Sequence, residues 1–243
     1  MLGVLLAAVV WAPAAWLANS VAQVTQGQLM LTEPRGTLWT GSARLILAGG
    51  FGSRDAAALP GRIEWALRPV WLGLGATVRA TCCTTSPLEL RATARGLGGV
   101  LTFSDGSSHW PASLLAGLGT PWNTLQPEGS LRLQTERLSV EWFEGRVRVG
   151  GRARLDALEV SSRLSTLRPM GSYRITIEGG STSTLQLETL EGALQLSGTG
   201  RWVGSRLHFA GEATAAPERE AALSNLLNII GRRNGARSII TVG

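Results

Sequence analysis

Lysine is missing from this 243-residue sequence, and all 23 basic residues are arginine. A P-loop needs a lysine to reach the nucleotide's phosphates, so that chemistry is excluded. Only two histidines occur, and no His-x-x-x-His or Cys-x-x-Cys spacing accompanies them, so no metal site is readable. There is no Gly-x-Ser-x-Gly elbow either. The two cysteines, Cys82 and Cys83, are adjacent, which excludes a disulfide scaffold. They are either a vicinal disulfide or a pair of thiols. Neighbouring residues of a strand point to opposite faces, so a bridge requires a distorted backbone, and thiols are the expectation.

Tyrosine and phenylalanine are scarce too, with Tyr 1 and Phe 4 against Trp 9. Tryptophan suits sheet faces and membrane interfaces alike. Apolar residues make up 44%, too many for a disordered chain. Gly 31, together with abundant Ser and Thr, favours short strands and tight turns over long helices. The formal charge of +6 and pI near 11.0 suit an acidic partner or an anionic lipid surface. The arginines are spread along the chain, not gathered into a patch with aromatic platforms, which argues against nucleic acid.

Residues 2–18, LGVLLAAVVWAPAAWLA, carry no charge and sit at the short end of what spans a bilayer. Leu5, Leu6, Val9, Val10, Trp11, Trp16 and Leu17 would form the anchor, with the two tryptophans in the interfacial belt. No basic region precedes them, as a secretory signal would show, although SVAQ offers a cleavage site after Ala22. An uncleaved inner-membrane anchor over residues 1–22 is the preferred reading. The remainder, 23–243, reads as one β-rich domain with a Pro-rich connector near 110–129 that holds a short helical turn over Ala112–Leu118.

Period-two alternation dominates that domain. GQLMLTE (27–33) and GTLWTGSARLIL (36–47) read as a strand pair turning at 34–36, and 61–68, 72–81 and 87–94 as further strands. After the connector come six more Gly-punctuated strands of ordinary length. APEREAALSNLLNIIG is the one convincing amphipathic helix after the anchor. Pro217 stands near its start, Gly231 at its C-cap position, and Leu223, Leu226, Leu227 and Ile230 share one face. RSIITVG then reads as a terminal strand. Leu226, Ile230, Ile239 and Ile240 are expected to close the assembly, the helix over a sheet face and the strand along an open edge. The fold class is mainly β: antiparallel strands in a long curved sheet or a sandwich, with an N-terminal membrane helix and a C-terminal amphipathic one. Weak similarity between 128–151 and 191–213 fits stacked hairpins as well as a simple meander.

Few residues suggest catalysis. Asp105, Ser107, Ser108 and His109 crowd into five residues, which reads as a turn, because triad members meet from separate elements. His208 reads as a strand residue, and Glu136 with Glu141, or Glu188 with Glu191, as solvated strand and turn carboxylates. No catalytic residue, cofactor or small-molecule substrate is expected. Arg146, Arg148, Arg152 and Arg154 alternate with apolar residues and so line one strand face. That face is either solvated or a docking surface for an acidic partner or lipid phosphates.

Several segments together resemble type II secretion system protein N: APAAWLA (12–18), GTLWTGSARL (36–45), LPGRIEWALRP (59–69), PASLLAGLGTPWNTLQPEGSLRL (111–133) and LSNLLNIIGRRNGARSIITVG (223–243). The short basic cytoplasmic lead expected of that family is absent from the start. The resemblance implies a non-enzymatic, single-pass inner-membrane protein with its bulk in the periplasm, serving the apparatus that exports folded proteins across the Gram-negative outer membrane. Its implied partners are the outer-membrane secretin or the inner-membrane platform. The Gly-punctuated repeats are also similar to AsmA-like envelope proteins, which implies, as a rival, a groove for lipid or another hydrophobic ligand. An apolar sheet face left uncovered would favour the groove; faces that alternate cleanly between a helix and water would favour the scaffold.

Overall fold

The computed structural model describes residues 11–144, 146–204 and 206–243. Helix α1 (Ala14–Val24) leads into β1 (Leu29–Gly36), β2 (Thr40–Ala48), β3 (Ala56–Ala58), β4 (Ile63–Val70) and β5 (Gly73–Ala80). Next come β6 (Leu88–Arg95), β7 (Gly98–Phe103), β8 (Gly106–Pro111), a 3₁₀ turn (Ala112–Leu118) and α2 (Trp122–Leu125). The second half holds β9 (Glu128–Phe143), β10 (Arg146–Ser161), β11 (Gly171–Glu178), β12 (Thr184–Gly192), β13 (Leu194–Val203) and β14 (Arg206–Ala215). It closes with α3 (Glu220–Ile230), β15 (Arg232–Asn234) and β16 (Arg237–Val242).

All strands belong to one 16-stranded sheet, running β1-β2-β4-β5-β6-β7-β9-β10-β11-β12-β13-β14-β16-β15, with β3 beside β2 and β8 beside β9. Every pairing is antiparallel, so of the two expected architectures the chain adopts the single sheet. Strands β9 and β10 are 16 residues each, not of ordinary length. The reason is β9's double partnership. Along one edge it pairs first with β8 (Ser130–Thr135) and then with β7 (Ser139–Trp142), so one long strand spans two short ones set end to end. A bulge in β9 between Glu136 and Ser139 lies opposite Gly151, whose φ is +76°. It shifts the apolar positions of β9 from Leu131 and Leu133 to Val140 and Trp142 while keeping them on one face.

Several expectations are corrected. The β1–β2 turn falls at 37–39, not 34–36, because a register shift lets Pro34–Gly36 continue the strand. The segment 106–111 is a strand, not part of a loop, since Ser107 to Pro111 pair with β9. Cys82 and Cys83 are bonded to each other. They lie in the β5–β6 turn, where the opposite-face objection to neighbouring strand residues does not apply. Gly231 ends α3 in an extended conformation, not as a left-handed cap. A side chain there would strike the Ile239 carbonyl, so glycine lets α3 turn directly into the sheet edge.

Two buried cores form on one face of the sheet. At the N-terminal end, Ala14 and Ala18 of α1 and Leu114 of the 3₁₀ turn pack on Leu31, Ala43, Ile63 and Trp65. At the C-terminal end, Leu223, Leu226 and Leu227 of α3 pack with Leu125, Met170, Tyr173, Leu194 and Ala213. The Pro-rich stretch therefore ties the two, Leu114 entering one core and Leu125 the other. Aromatic rings fill the gaps that cross-strand glycines leave: a Cβ on Gly41 would meet Trp65, one on Gly99 would meet Trp142, and one on Gly198 would meet Phe209. Among the described residues no helix is long and apolar enough to cross a membrane. Leu5, Leu6, Val9 and Val10 lie outside the described residues. Trp11 and Trp16 are exposed, whereas Leu17 packs against the first core.

Candidate interaction surface

The second and fourth positions of β10 after its bulge contact define the polar face. Arg152 donates to Glu178 (2.9 Å) on β11 and also pairs with Glu136 (3.5 Å) on β9. Two residues on, Arg154 is half-buried, and its Nε is enclosed without a hydrogen-bond partner among the described residues. Two further on lies Asp156, buried, whose two oxygens accept from Arg174 Nε (2.7 Å) and Nη2 (3.0 Å). The same guanidinium reaches Glu188 on β12 at 4.0 Å. Arg148 is exposed and stands across from Glu141, and Arg146 starts the strand opposite Phe143. Arg148, Arg152 and Arg154 thus occupy one face, as alternation requires. Arg152, however, is already neutralised by carboxylates of its own sheet.

The Asp156–Arg174 pair is the electrostatic centre of this face. The hydrogen bonds from Arg174 hold the Asp156 carboxyl below the usual carboxylate range, against the opposing effect of burial, and Arg154 and Arg132 help. In return the carboxylate raises Arg174 above the ordinary guanidinium value. The same-face partner of this pair was legible as the third member of Arg152-x-Arg154-x-Asp156. Its arginine partner, 18 residues away, has no local signal.

The cluster at 105–109 is dispersed by its strand. Ser108 is buried on the apolar side, where its Oγ accepts from Trp110 Nε1 at 2.8 Å. His109 points to the polar face, its Nε2 accepting from Arg132 at 3.0 Å. Asp105 caps the β9 bulge by accepting from the Arg137 N–H. No serine–histidine contact joins them. Glu136 serves Arg152, and Glu141 pairs with Arg95 at 3.9 Å. His208 is exposed on β14, and Glu191 accepts from Ser172 Oγ at 3.2 Å.

The opposite face is apolar along the whole sheet but covered only near its ends. Leu133, Leu155 and Ile175 stand side by side across β9, β10 and β11, and Ile177 stands beside Leu185 across β11 and β12. Leu101, Val140 and Val149 continue the stripe on β7, β9 and β10. All are half-buried, and none packs into either core. The closure residues separate likewise. Leu226 is buried, and Ile230 and Ile240 pack against the C-terminal core, while Ile239 stands opposite Glu212 on the polar side.

The candidate site is thus a sheet with Arg152 and Arg174 paired to carboxylates of neighbouring strands on one face and a partly exposed apolar stripe on the other. The curated proteins and the solved structures yield no significant match. The family model for type II secretion system protein N, in contrast, matches residues 27–240, from the start of the sheet to its last strand. The chain belongs to the type II secretion system protein N family, and as such is a component that works with others of that system.

Proposed function

We propose that this chain is a non-enzymatic scaffold of the type II secretion system, held at the inner membrane by its apolar N-terminal segment with the sheet in the periplasm. The family match over residues 27–240 carries this reading. It is supported by a sheet whose chemistry-bearing side chains are engaged in ion pairs and turn contacts and so left without a free relay. Its partner would be the outer-membrane secretin or the inner-membrane platform. Arg148, exposed beside Glu141, is the arginine of the β10 face available to an acidic partner surface. Site-specific cross-linking from residue 148 in a secreting cell is expected to trap one of these components. Recovery of no secretion component would reject the scaffold. Assays of the purified protein for esterase, peptidase and phosphatase activity are expected to stay at background, and activity lost on His109→Ala would overturn the non-enzymatic reading.

A second reading has its own observation, the half-exposed stripe of Leu133, Leu155, Ile175, Ile177 and Leu185. Contiguous apolar surface of this kind marks a binding site for something hydrophobic. A lipid acyl chain laid across the strands would complete the cover that the helices leave unfinished. Native mass spectrometry of the full chain separates the readings, because a copurifying lipid lost on Ile175→Asp supports the groove.

A further inference from the structure

We infer that the sheet has a membrane-contacting rim, formed by the tips of three adjacent hairpins that dip into the interface of an anionic bilayer. The hairpins are β4–β5, β6–β7 and β9–β10, consecutive along the sheet. Their tips are level. The Ala94 N–H donates to the Leu72 carbonyl, Arg95 pairs with Gly98, Gly99 pairs with Trp142, and Phe143 pairs with Arg146. From the first turn to the last is four inter-strand steps, about 19 Å.

These tips carry Trp71, Leu72, Leu97, Trp142, Phe143 and Val147, all exposed, with Trp71 at 89% and Leu97 at 86%. Hairpin tips are ordinarily polar, with turn residues such as Asn, Asp and Gly, so large apolar side chains there require an apolar environment. Charge agrees. Within the last turns of the same hairpins stand Arg68, Arg91, Arg95 and Arg148 against Glu141 and Glu144. An apolar edge backed by arginines matches the layering of an anionic membrane surface, with apolar tips at acyl depth and guanidinium groups at the phosphates.

The chain's own entry fixes the orientation. Pro13 bridges Thr37, and Leu38 donates to the Ala12 carbonyl, so the uncharged segment up to residue 12 meets the sheet at its β1–β2 turn. That turn opens toward the rim end, because β2 runs back from it along β4: Thr40 pairs with Ala66 at mid-strand and Ala43 with Ile63 at the end away from the rim. Trp11, 77% exposed, faces solvent there. The inference rests on the anchor reading for orientation only, and the rim side chains argue for the membrane independently.

The test uses the full chain in vesicles of phosphatidylethanolamine and phosphatidylglycerol whose acyl chains carry bromine, with tryptophan fluorescence as the readout. Trp71→Phe combined with Trp142→Phe is expected to lower the quenched amplitude by about half, since the interfacial tryptophans fall from four to two. Trp11→Phe with Trp16→Phe reports the anchor separately. If that pair changes nothing while the rim pair still lowers quenching, the anchor reading fails and the rim stands. Quenching indifferent to Trp71 and Trp142 overturns the rim, and points to a protein partner for those tips. Quenching by the rim that is undiminished when phosphatidylglycerol is replaced by phosphatidylcholine would overturn the part assigned to the arginines.

Discussion

Leu227 of α3 and Leu155 of β10 belong to the same side of one sheet, yet the first has no exposure and the second is half-open. The difference lies in what the chain supplies above them. At the C-terminal end, α3 and Met170 close over Tyr173, Leu194 and Ala213; at the N-terminal end, α1 and the 3₁₀ turn do the same over Ile63 and Trp65. Between them Leu133, Leu155, Ile175, Ile177 and Leu185 of β9 to β12 pack into neither core. Side chains of one type therefore serve as core at the ends and as open surface between. The face alternates cleanly everywhere, but only the ends meet the condition set for a purely structural face.

That contrast can be broken first where it is strongest. Removing Arg232–Gly243 takes away β15 and β16, bares the edge of β14 and withdraws Ile240 from the C-terminal core. The expected loss is comparable to the whole stability of a domain, about 5–15 kcal/mol, so cooperative melting should vanish. An unchanged melting curve would make the segment a tail, not an edge strand. Leu227→Ala is expected to cost about 3–4 kcal/mol by cavity formation, read from the denaturant midpoint. A cost near zero would mean that α3 does not seal that end.

On the polar side, Arg174→Ala leaves a buried carboxylate without its partner, at a cost of about 3 kcal/mol, the low end because the guanidinium is partly exposed. The Asp156 carboxyl is lowered when folded, so its contribution is complete above the unfolded value of about 3.9 and fades as pH falls through the folded one. The stability gap between wild type and Asp156→Asn should therefore shrink below about pH 4; a gap constant to pH 2 would refute the pairing. Smallest of all, Leu155→Ala should cost about 1–2 kcal/mol, since part of its surface is already wet. A loss as large as that of Leu227→Ala would show that the middle of the stripe is covered after all.

Much of this was legible in the sequence because a sheet speaks in a period of two. The strands of the second half, the face shared by Leu223, Leu226 and Leu227, and the common side of the β10 arginines all follow from local spacing. What escaped depends on partners far away in sequence. The segment 104–110 is rich in Asp, Ser and Gly and reads as a turn, but β9 supplies an edge that makes it a strand. The Arg174 partner of Asp156, and which of Ile239 and Ile240 turns toward the core, require the registers of β11 and β14, which no window reveals. The exposed tips at Trp71, Leu97 and Phe143 were written plainly as apolar residues beside glycine, but only their level alignment across three hairpins gives them meaning.

The order of strands in the sheet is nearly the order of strands in the chain, the widest step being from β7 to β9 across the short β8. Such an arrangement has a history built into it. Each hairpin finds its neighbour within a few dozen residues, so loop closure stays inexpensive in entropy and the sheet can grow like a zipper from its first turn. The N-terminal core draws on nothing later than Leu114. A polypeptide made or threaded across a membrane from its amino end can therefore lock that half while the rest is still emerging. At the far end β16 (Arg237–Val242) pairs with β14, and the earlier, three-residue β15 folds beside it as the edge strand.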